Sequence, residues 1–272
     1  MLVLLPNQLK VSLSKDSVAC IQTAGGLFGR VLKQQHIAIT AMANELPWTS
    51  ALNKLESLLA LMQIKPKTQL KIILSSDFVR YLFLPQQPIS MSLAEQQAYA
   101  LAAYREVYGT VADAWNLKLH DAAPNQATIV AAIDENLLET LKQIAHKYQL
   151  KLASVQPYLM SAFNALSKQT SKMNGYLVVL ESERLLLLSM LQGQCQNLRT
   201  IAVAGDWQAE LKSLLMRESL LGDMLGKDVL IYAPAQKDTA LKAIEGWNVR
   251  RVGQANKPAV EDKNFVLLEA AA

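Results

Sequence analysis

Residues 176–203 read YLVVLESERLLLLSMLQGQCQNLRTIAV and contain three largely apolar runs separated by polar residues. Each run is five to seven residues long, which suits a β-strand and is too short for a typical core helix. The predicted strands are Tyr176–Leu180, Leu185–Leu191 and Leu198–Val203. Because the polar connections are short, each strand can turn back on the one before it, and the stretch predicts a three-stranded β-meander.

The first part of the chain predicts a second meander. Lys10–Thr23 combines β-branched residues with alternation, Thr23–Gly26 supplies a turn, and the strands Leu27–Leu32 and His36–Ala41 follow. Helices and strands alternate after each meander. The sequence therefore predicts an α/β protein in which one order of elements occurs twice.

The elements after each meander follow from the spacing of apolar residues. Three- and four-residue steps between Trp48 and Met62 predict a helix, and Asp206 caps a second helix that begins near Trp207. The strands predicted beside these helices are Leu70–Leu74, Phe78–Leu84, Leu152–Gln156, Val229–Ala233 and Trp247–Val252.

The middle of the chain predicts an inserted unit, after the proline-bearing stretch Pro85–Ser90. Ser92 and Glu95 have capping-box spacing, so a helix is predicted over Leu93–Tyr108, with Gly109 as the left-handed residue that ends it. The unit continues with two strands and a helix: Ala114–Leu119, Ala127–Ile133 and the helix capped by Asp134. We interpret residues 88–150, approximately, as a small α/β subdomain inserted into a first half of residues 1–166, with the second half at 167–272.

Composition narrows the class of protein. The chain has 272 residues, of which 51% are hydrophobic and 18% charged, so it can form a sizeable core. Its net charge of +4 is spread along the sequence, which argues against a nucleic-acid interface. Cys20 and Cys195 lie far apart, as reduced thiols of a cytoplasmic protein would. The apolar start is interrupted by Pro6 and is too short for a signal peptide or a membrane span.

Three segments carry a resemblance to a known family. They are LSSDFVRYLFLP at 74–85, VQPYLMSAFN at 155–164, and GDW at 205–207 with LMRE at 215–218. From Lys10 to about Val252 the chain resembles the MshI- and PilM-like proteins of type IV pilus biogenesis, relatives of the cytoplasmic domain of type II secretion protein L. The resemblance implies an actin-like, ribonuclease H-like duplicated fold. It also implies a cytoplasmic scaffold at the inner membrane, held there by a PilN-like bitopic protein whose tail it binds.

Relatives that bind ATP do so through aspartate–glycine turns after the first strand of each half and a later glycine pair, and this chain departs at all three places. The first hairpin is VSLSKDSVA at 11–19, the second is VLESER at 179–184, and the glycine pair falls on IYAPA at 231–235. Phosphates need backbone N–H groups at close approach, which glycine permits and Pro234 does not. Glu181 and Glu183, which we interpret as part of a solvated hairpin, would repel a triphosphate. We expect no cofactor and no enzymatic activity; the alternatives are an actin-like ATPase with divergent phosphate loops and, last, a small-molecule kinase of the same fold.

The sequence contains no motif for other nucleotide-binding, catalytic or metal-binding sites. Residues Gly25–Gly29 lack the spacing of a dinucleotide loop, and no P-loop or nucleophile elbow is present. His36, His120 and His146 have no neighbour at metal-ligand spacing, so no metal site is predicted. Asp134–Glu135 is a helix start.

A partner site is predicted at four residues: Phe78, Arg80, Tyr81 and Tyr158. In a strand, Phe78 and Arg80 face one side and Tyr81 the other. Core packing accounts for the aromatic side chains. A mid-strand arginine, however, has to be paired or reach the surface. We therefore hypothesise that Arg80 lies at the lip of a partner groove, beside Tyr158.

Overall fold

The computed structural model describes residues 6–26, 30–40, 45–119, 127–221, 226–253 and 263–269. The strands are β1 (Gln8–Leu13), β2 (Ser17–Thr23), β3 (Val31–Ala38), β4 (Gln69–Leu74), β5 (Val79–Leu84), β6 (Trp115–Leu119), β7 (Thr128–Asp134), β8 (Lys151–Pro157), β9 (Gly175–Leu180), β10 (Arg184–Leu191), β11 (Gln194–Ala202), β12 (Asp228–Tyr232) and β13 (Asn248–Arg251). The helices are α1 (Thr49–Leu61), α2 (Leu93–Tyr108), α3 (Glu135–Lys147), α4 (Tyr158–Ala165), α5 (Ser167–Thr170), α6 (Trp207–Leu221) and α7 (Val266–Glu269). Short 3-10 helices span Gly109–Ala114, Pro234–Gln236 and Lys263–Phe265.

Two five-stranded sheets repeat one topology. The first sheet has the order β3-β2-β1-β4-β8 and the second has the order β11-β10-β9-β12-β13. In each, the three meander strands pair antiparallel and the last two strands add in parallel. The repeated order predicted from the sequence is therefore confirmed.

The first meander differs in detail from the prediction. Lys10–Thr23 contains the hairpin expected at 11–19: the chain turns at Ser14, whose backbone N–H donates to the Ser17 carbonyl at 3.0 Å, and this turn separates β1 from β2. The Ser14 hydroxyl closes the same turn by accepting from the Ser17 N–H at 3.0 Å, so no glycine is needed. The third strand is β3, and part of the predicted strand Leu27–Leu32 lies outside the described residues.

A third sheet, of order β5-β7-β6, carries α2 on one face. Because β5 pairs with β7, this sheet includes residues upstream of 88, where the sequence placed the start of the insert. Helix α3 packs against both this sheet and the first one, since Leu137 and Leu141 share a buried cluster with Ile133 of β7 and with Leu9 of β1. The division into halves at residue 166 stays a prediction.

The predicted helix caps are present. Ser92 and Glu95 form the capping box of α2, with the Ser92 N–H donating to Glu95 Oε2 at 2.7 Å. Asp134 accepts from the Asn136 N–H at 2.8 Å, and Asp206 from the Gln208 N–H at 3.0 Å. These local signals fix where the helices begin.

The two five-stranded sheets share a hydrophobic core. One buried cluster contains Ala19 and Ile73 from the first sheet, Leu177 and Tyr232 from the second, and Tyr158 of α4. The sheets therefore pack against each other through side chains of both. Among the helices of the described residues, none combines the length and apolar composition that a membrane-spanning helix needs.

Candidate functional site

Glu181 follows β9 and lies in the interface between the two five-stranded sheets. Its carboxylate accepts hydrogen bonds from the Ser75 hydroxyl at 2.6 Å, the Ser76 N–H at 3.0 Å and the Ser76 hydroxyl. Both serines belong to the turn between β4 and β5. The interpretation of Glu181 as part of a solvated hairpin is wrong, because the residue is only 7% exposed and its oxygens are bound by the opposite sheet.

The electrostatics of Glu181 follow from this position. Burial raises the pKa of its carboxyl above the ordinary value, since the charged form is taken out of water. The hydrogen bonds from Ser75 and Ser76 oppose that shift in part, and the nearby carboxylate of Asp77 adds to it. Burial likewise raises the pKa of Tyr81, whose hydroxyl lies 3.5 Å from the Ser76 Oγ.

Three further contacts join the β9–β10 turn to the first sheet, one through the β4–β5 turn and two through the β1–β2 turn. The Arg184 Nε donates to Asp77 Oδ1 at 3.2 Å, Lys15 pairs with Glu183, and the Ser182 hydroxyl lies 3.5 Å from Asp16 Oδ2. Glu183 is exposed, as predicted. We call this set of contacts the seam; its members are Lys15, Asp16, Ser75, Ser76, Asp77, Glu181, Ser182, Glu183 and Arg184.

The seam includes both hairpin turns at which the family resemblance places the phosphate loops. The turns contact each other directly, and the cavity that remains has a volume of about 130 Å³. Pockets for drug-sized ligands are typically about 300–1,000 Å³. Asp16 and Glu181 both line this cavity, and burial raises the pKa of the Asp16 carboxyl. The arrangement is small and acidic, which disfavours a triphosphate.

A larger groove, of about 440 Å³, lies between the three-stranded sheet and the edge of the first sheet. Its apolar lining is Leu119, Ile129, Ala131, Ile133, Leu138, Val155, Pro157 and Met160, and its polar lining is Asn116, Lys118, Ser154, Gln156 and Asn164. Among the described residues, two strands that line it, β6 and β8, are edge strands of their sheets. Each therefore has one side whose backbone groups are not paired within its sheet.

The four predicted partner residues do not lie together at this groove. Phe78 is 6% exposed and Tyr158 is fully buried, so both contribute to the core and a partner can reach neither directly. Tyr81 is half-buried, and its hydroxyl points to Ser76 and to the backbone of Leu159.

Arg80 is in the strand register that places it on the sheet face opposite Tyr81. Its Nη1 donates to the Asp77 carbonyl at 3.3 Å, in the turn that precedes β5. Sequence reasoning missed the groove residues Asn116 and Lys118. The sequence did contain a signal for them, because both alternate with the apolar residues of β6. The apolar residues pack toward α2, so Asn116 and Lys118 lie on the face of the strand that α2 does not cover.

Within the described ranges, no three His, Cys, Asp or Glu side chains come close enough to hold a metal ion. His146 is exposed on α3, and His36 contacts the ring of Phe265. His120 lies outside the described residues. Cys20 and Cys195 are free, and burial raises the pKa of each thiol to about 12, which keeps both protonated and unreactive at neutral pH.

Two sheets of identical strand order that share one core define an actin-like α/β fold, and comparison with solved structures confirms this class. The "PilM-PilN type IV pilus biogenesis complex" is similar over 97% of each chain, at 12% identity and a TM-score of 0.67. The cytoplasmic domain of EpsL, an inner-membrane component of the type II secretion system of Vibrio cholerae, is similar over 97% of this chain and 94% of its own, at 11% identity and a TM-score of 0.57.

A Bacteroides thetaiotaomicron protein described as having an actin-like ATPase fold and unknown function is similar over 97% of this chain and 86% of its own, at 10% identity and a TM-score of 0.55. At such low sequence identities, the similarity of these structures shows a shared fold. In its fold, therefore, the resemblance seen in the sequence is confirmed. No family model and no curated protein matches the chain.

Proposed function

We propose that this protein is a non-catalytic, cytoplasmic scaffold of a type IV pilus or type II secretion-like assembly platform, and that it binds the tail of a PilN-like bitopic membrane protein. Two structures with this fold support the assignment, one of a PilM–PilN type IV pilus biogenesis complex and one of an inner-membrane component of a type II secretion system. The observation that carries the proposal is the groove between β6 and β8.

The groove suits an extended peptide. Its floor is apolar, and Lys118 and Gln156 lie at its polar positions. A peptide strand that adds to the edge of β6 or β8 would satisfy that edge's backbone groups, and every second side chain would enter the apolar floor. A tail with alternating apolar residues is therefore the expected ligand, and a carboxylate on it would pair with Lys118.

The seam supports the non-catalytic part of the proposal. Binding ATP between the two sheets would require the contacts of Glu181 with Ser75 and Ser76 to open. The phosphates would then face Glu181 and Asp16, two carboxylates without a glycine turn beside them. Both effects disfavour the phosphates, the first by breaking buried hydrogen bonds and the second by like-charge repulsion.

The test is binding of the labelled N-terminal tail of a bitopic membrane protein encoded beside this one, measured by fluorescence anisotropy. Met160→Arg places a charge in the apolar floor and is expected to weaken binding by at least about tenfold, which corresponds to 1.4 kcal/mol. Lys54→Glu, on the exposed side of α1 and away from the groove, is the control and should bind normally.

Co-purification of the two full-length proteins gives an independent result. It should fail when the tail is deleted from the membrane protein. If deletion of the tail leaves co-purification intact, or if Met160→Arg binds the peptide as tightly as the wild type, the groove is not the tail site.

A further inference from the structure

The segment Asn264–Leu268 lies in the cleft between the two five-stranded sheets. It comprises part of a 3-10 helix and most of α7. Phe265, Val266 and Leu268 are all buried, with exposed fractions of 5%, 7% and 4%. A helix of four residues is not stable in water by itself, so the order of this segment comes from what it packs against.

The segment contacts both sheets. Phe265 and Leu268 belong to the buried cluster that contains Ile73 of the first sheet and Leu230 of the second. The ring of Phe265 also meets the imidazole of His36 on β3 edge-on, with centroids 6.4 Å apart.

The same segment forms one wall of the small cavity at the seam, through Asn264, Val266 and Leu267. Ser75 and Glu181 line the same cavity. The cleft is therefore closed by polar contacts at the seam and by apolar side chains of this segment.

We propose that Asn264–Leu268 is an intramolecular ligand: a short apolar segment that docks between the two sheets and holds them in one relative orientation. The docking site is the part of the shared core that faces Phe265 and Leu268. Because the segment meets both sheets, its release would expose apolar surface on each and would free them to move relative to one another. This role is independent of the peptide groove, which lies between other elements.

The test uses the full chain and a fluorescent peptide with the sequence of residues 263–272, KNFVLLEAAA. The variant Phe265→Asp with Leu268→Asp should release the segment and leave the site open. A tethered segment competes at an effective concentration on the order of millimolar, so the wild type should bind the free peptide at least about tenfold more weakly than the variant. Lys54→Glu reverses a charge at an exposed position of α1, outside the segment and the cavity that it lines, and should behave like the wild type.

Hydrogen exchange supplies a second readout. Amides of β2 and β12, one in each sheet, should exchange faster in the double variant and slow again when the peptide is added. If the aspartate variant does not fold, Phe265→Ala with Leu268→Ala allows the same comparison. Equal peptide affinity for wild type and a folded variant, or no peptide binding by that variant, would overturn the proposal.

Discussion

The backbone N–H of Ser76 donates to Glu181 Oε2 at 3.0 Å, across 105 residues of sequence. This bond joins the turn that follows the fourth strand of the first sheet to the hairpin that follows the first strand of the second. The Ser75 hydroxyl bonds the same carboxylate at 2.6 Å. A carboxylate held in this way fixes the distance between the sheets as well as filling the space between them.

Replacing Glu181 by alanine should destabilise the protein. The substitution leaves the Ser75 hydroxyl and the Ser76 N–H without their acceptor in a buried site, which costs about 1–3 kcal/mol. The matched control is Glu183→Ala, because Glu183 pairs with Lys15 at an exposed position and such a pair contributes about 0–1 kcal/mol. Urea unfolding measures both. Equal losses would mean that the Glu181 hydrogen bonds contribute no more than a surface ion pair.

The stability contribution of Glu181 should depend on pH. Its pKa is raised in the folded protein from an ordinary value of 4.5, so the folded state binds the proton more tightly than the unfolded state does. Stability is therefore gained as pH falls through the folded pKa and is complete below the unfolded one. Relative to Glu181→Gln, which does not titrate, the wild type should become more stable as the pH falls from neutrality toward the ordinary value of 4.5. A difference in unfolding free energy that is constant over this interval would contradict the raised pKa.

A thermal melt with millimolar ATP and Mg²⁺ should show no specific rise in the midpoint. A ligand at one hundred times its dissociation constant stabilises a protein by about 2.7 kcal/mol, which for a chain of this size raises the melting temperature by several degrees. The controls are the same melt with ADP and the same melt with Mg²⁺ but no nucleotide. A rise of that size with ATP would support the alternative of a nucleotide-binding actin-like ATPase and would require the seam to open.

Gly175 should not tolerate a side chain. It begins β9 with φ at +140°, and a Cβ there would lie 2.2 Å from the backbone oxygen of Asp228 on the neighbouring strand β12. Gly175→Ala is therefore expected to cost at least about 2 kcal/mol, through both the strained backbone and the close approach. Gly205→Ala is the control, since a Cβ at that position meets no atom within 4 Å. Similar unfolding midpoints in urea would contradict the prediction.

Local features of the fold could be predicted from the sequence. The capping box of Ser92 and Glu95 lies within four residues, and the buried strand at Tyr176–Leu180 is a continuous apolar run. Both features can be predicted because the residues that define them are close together in the sequence. The hairpin at 11–19 is also local, and the Ser14 hydroxyl closes its turn without a glycine.

The candidate site depended on contacts that no local pattern contains. Glu181 lies between polar residues of a short connection, which is the pattern of an exposed turn, yet its partner is Ser76 in the other sheet. Tyr158 has the aromatic character of a binding residue but is covered by Tyr232, whose ring centroid is 6.3 Å away. The groove is built from β6, β7, α3, β8 and α4, so its existence follows only from their assembly.

The pairing of β4 with β8 has a consequence for how the chain is made. The two strands are parallel neighbours in the first sheet, yet residues 75–150 lie between them. During synthesis on the ribosome, β4 is complete long before β8 emerges, and until then one side of β4 has no strand to pair with. An unpaired apolar edge invites association with other nascent chains, and distant pairings form slowly. The three-stranded sheet, α2 and α3 are synthesised in this interval, so the delay before the first sheet can close is set by the time needed to translate residues 75–150.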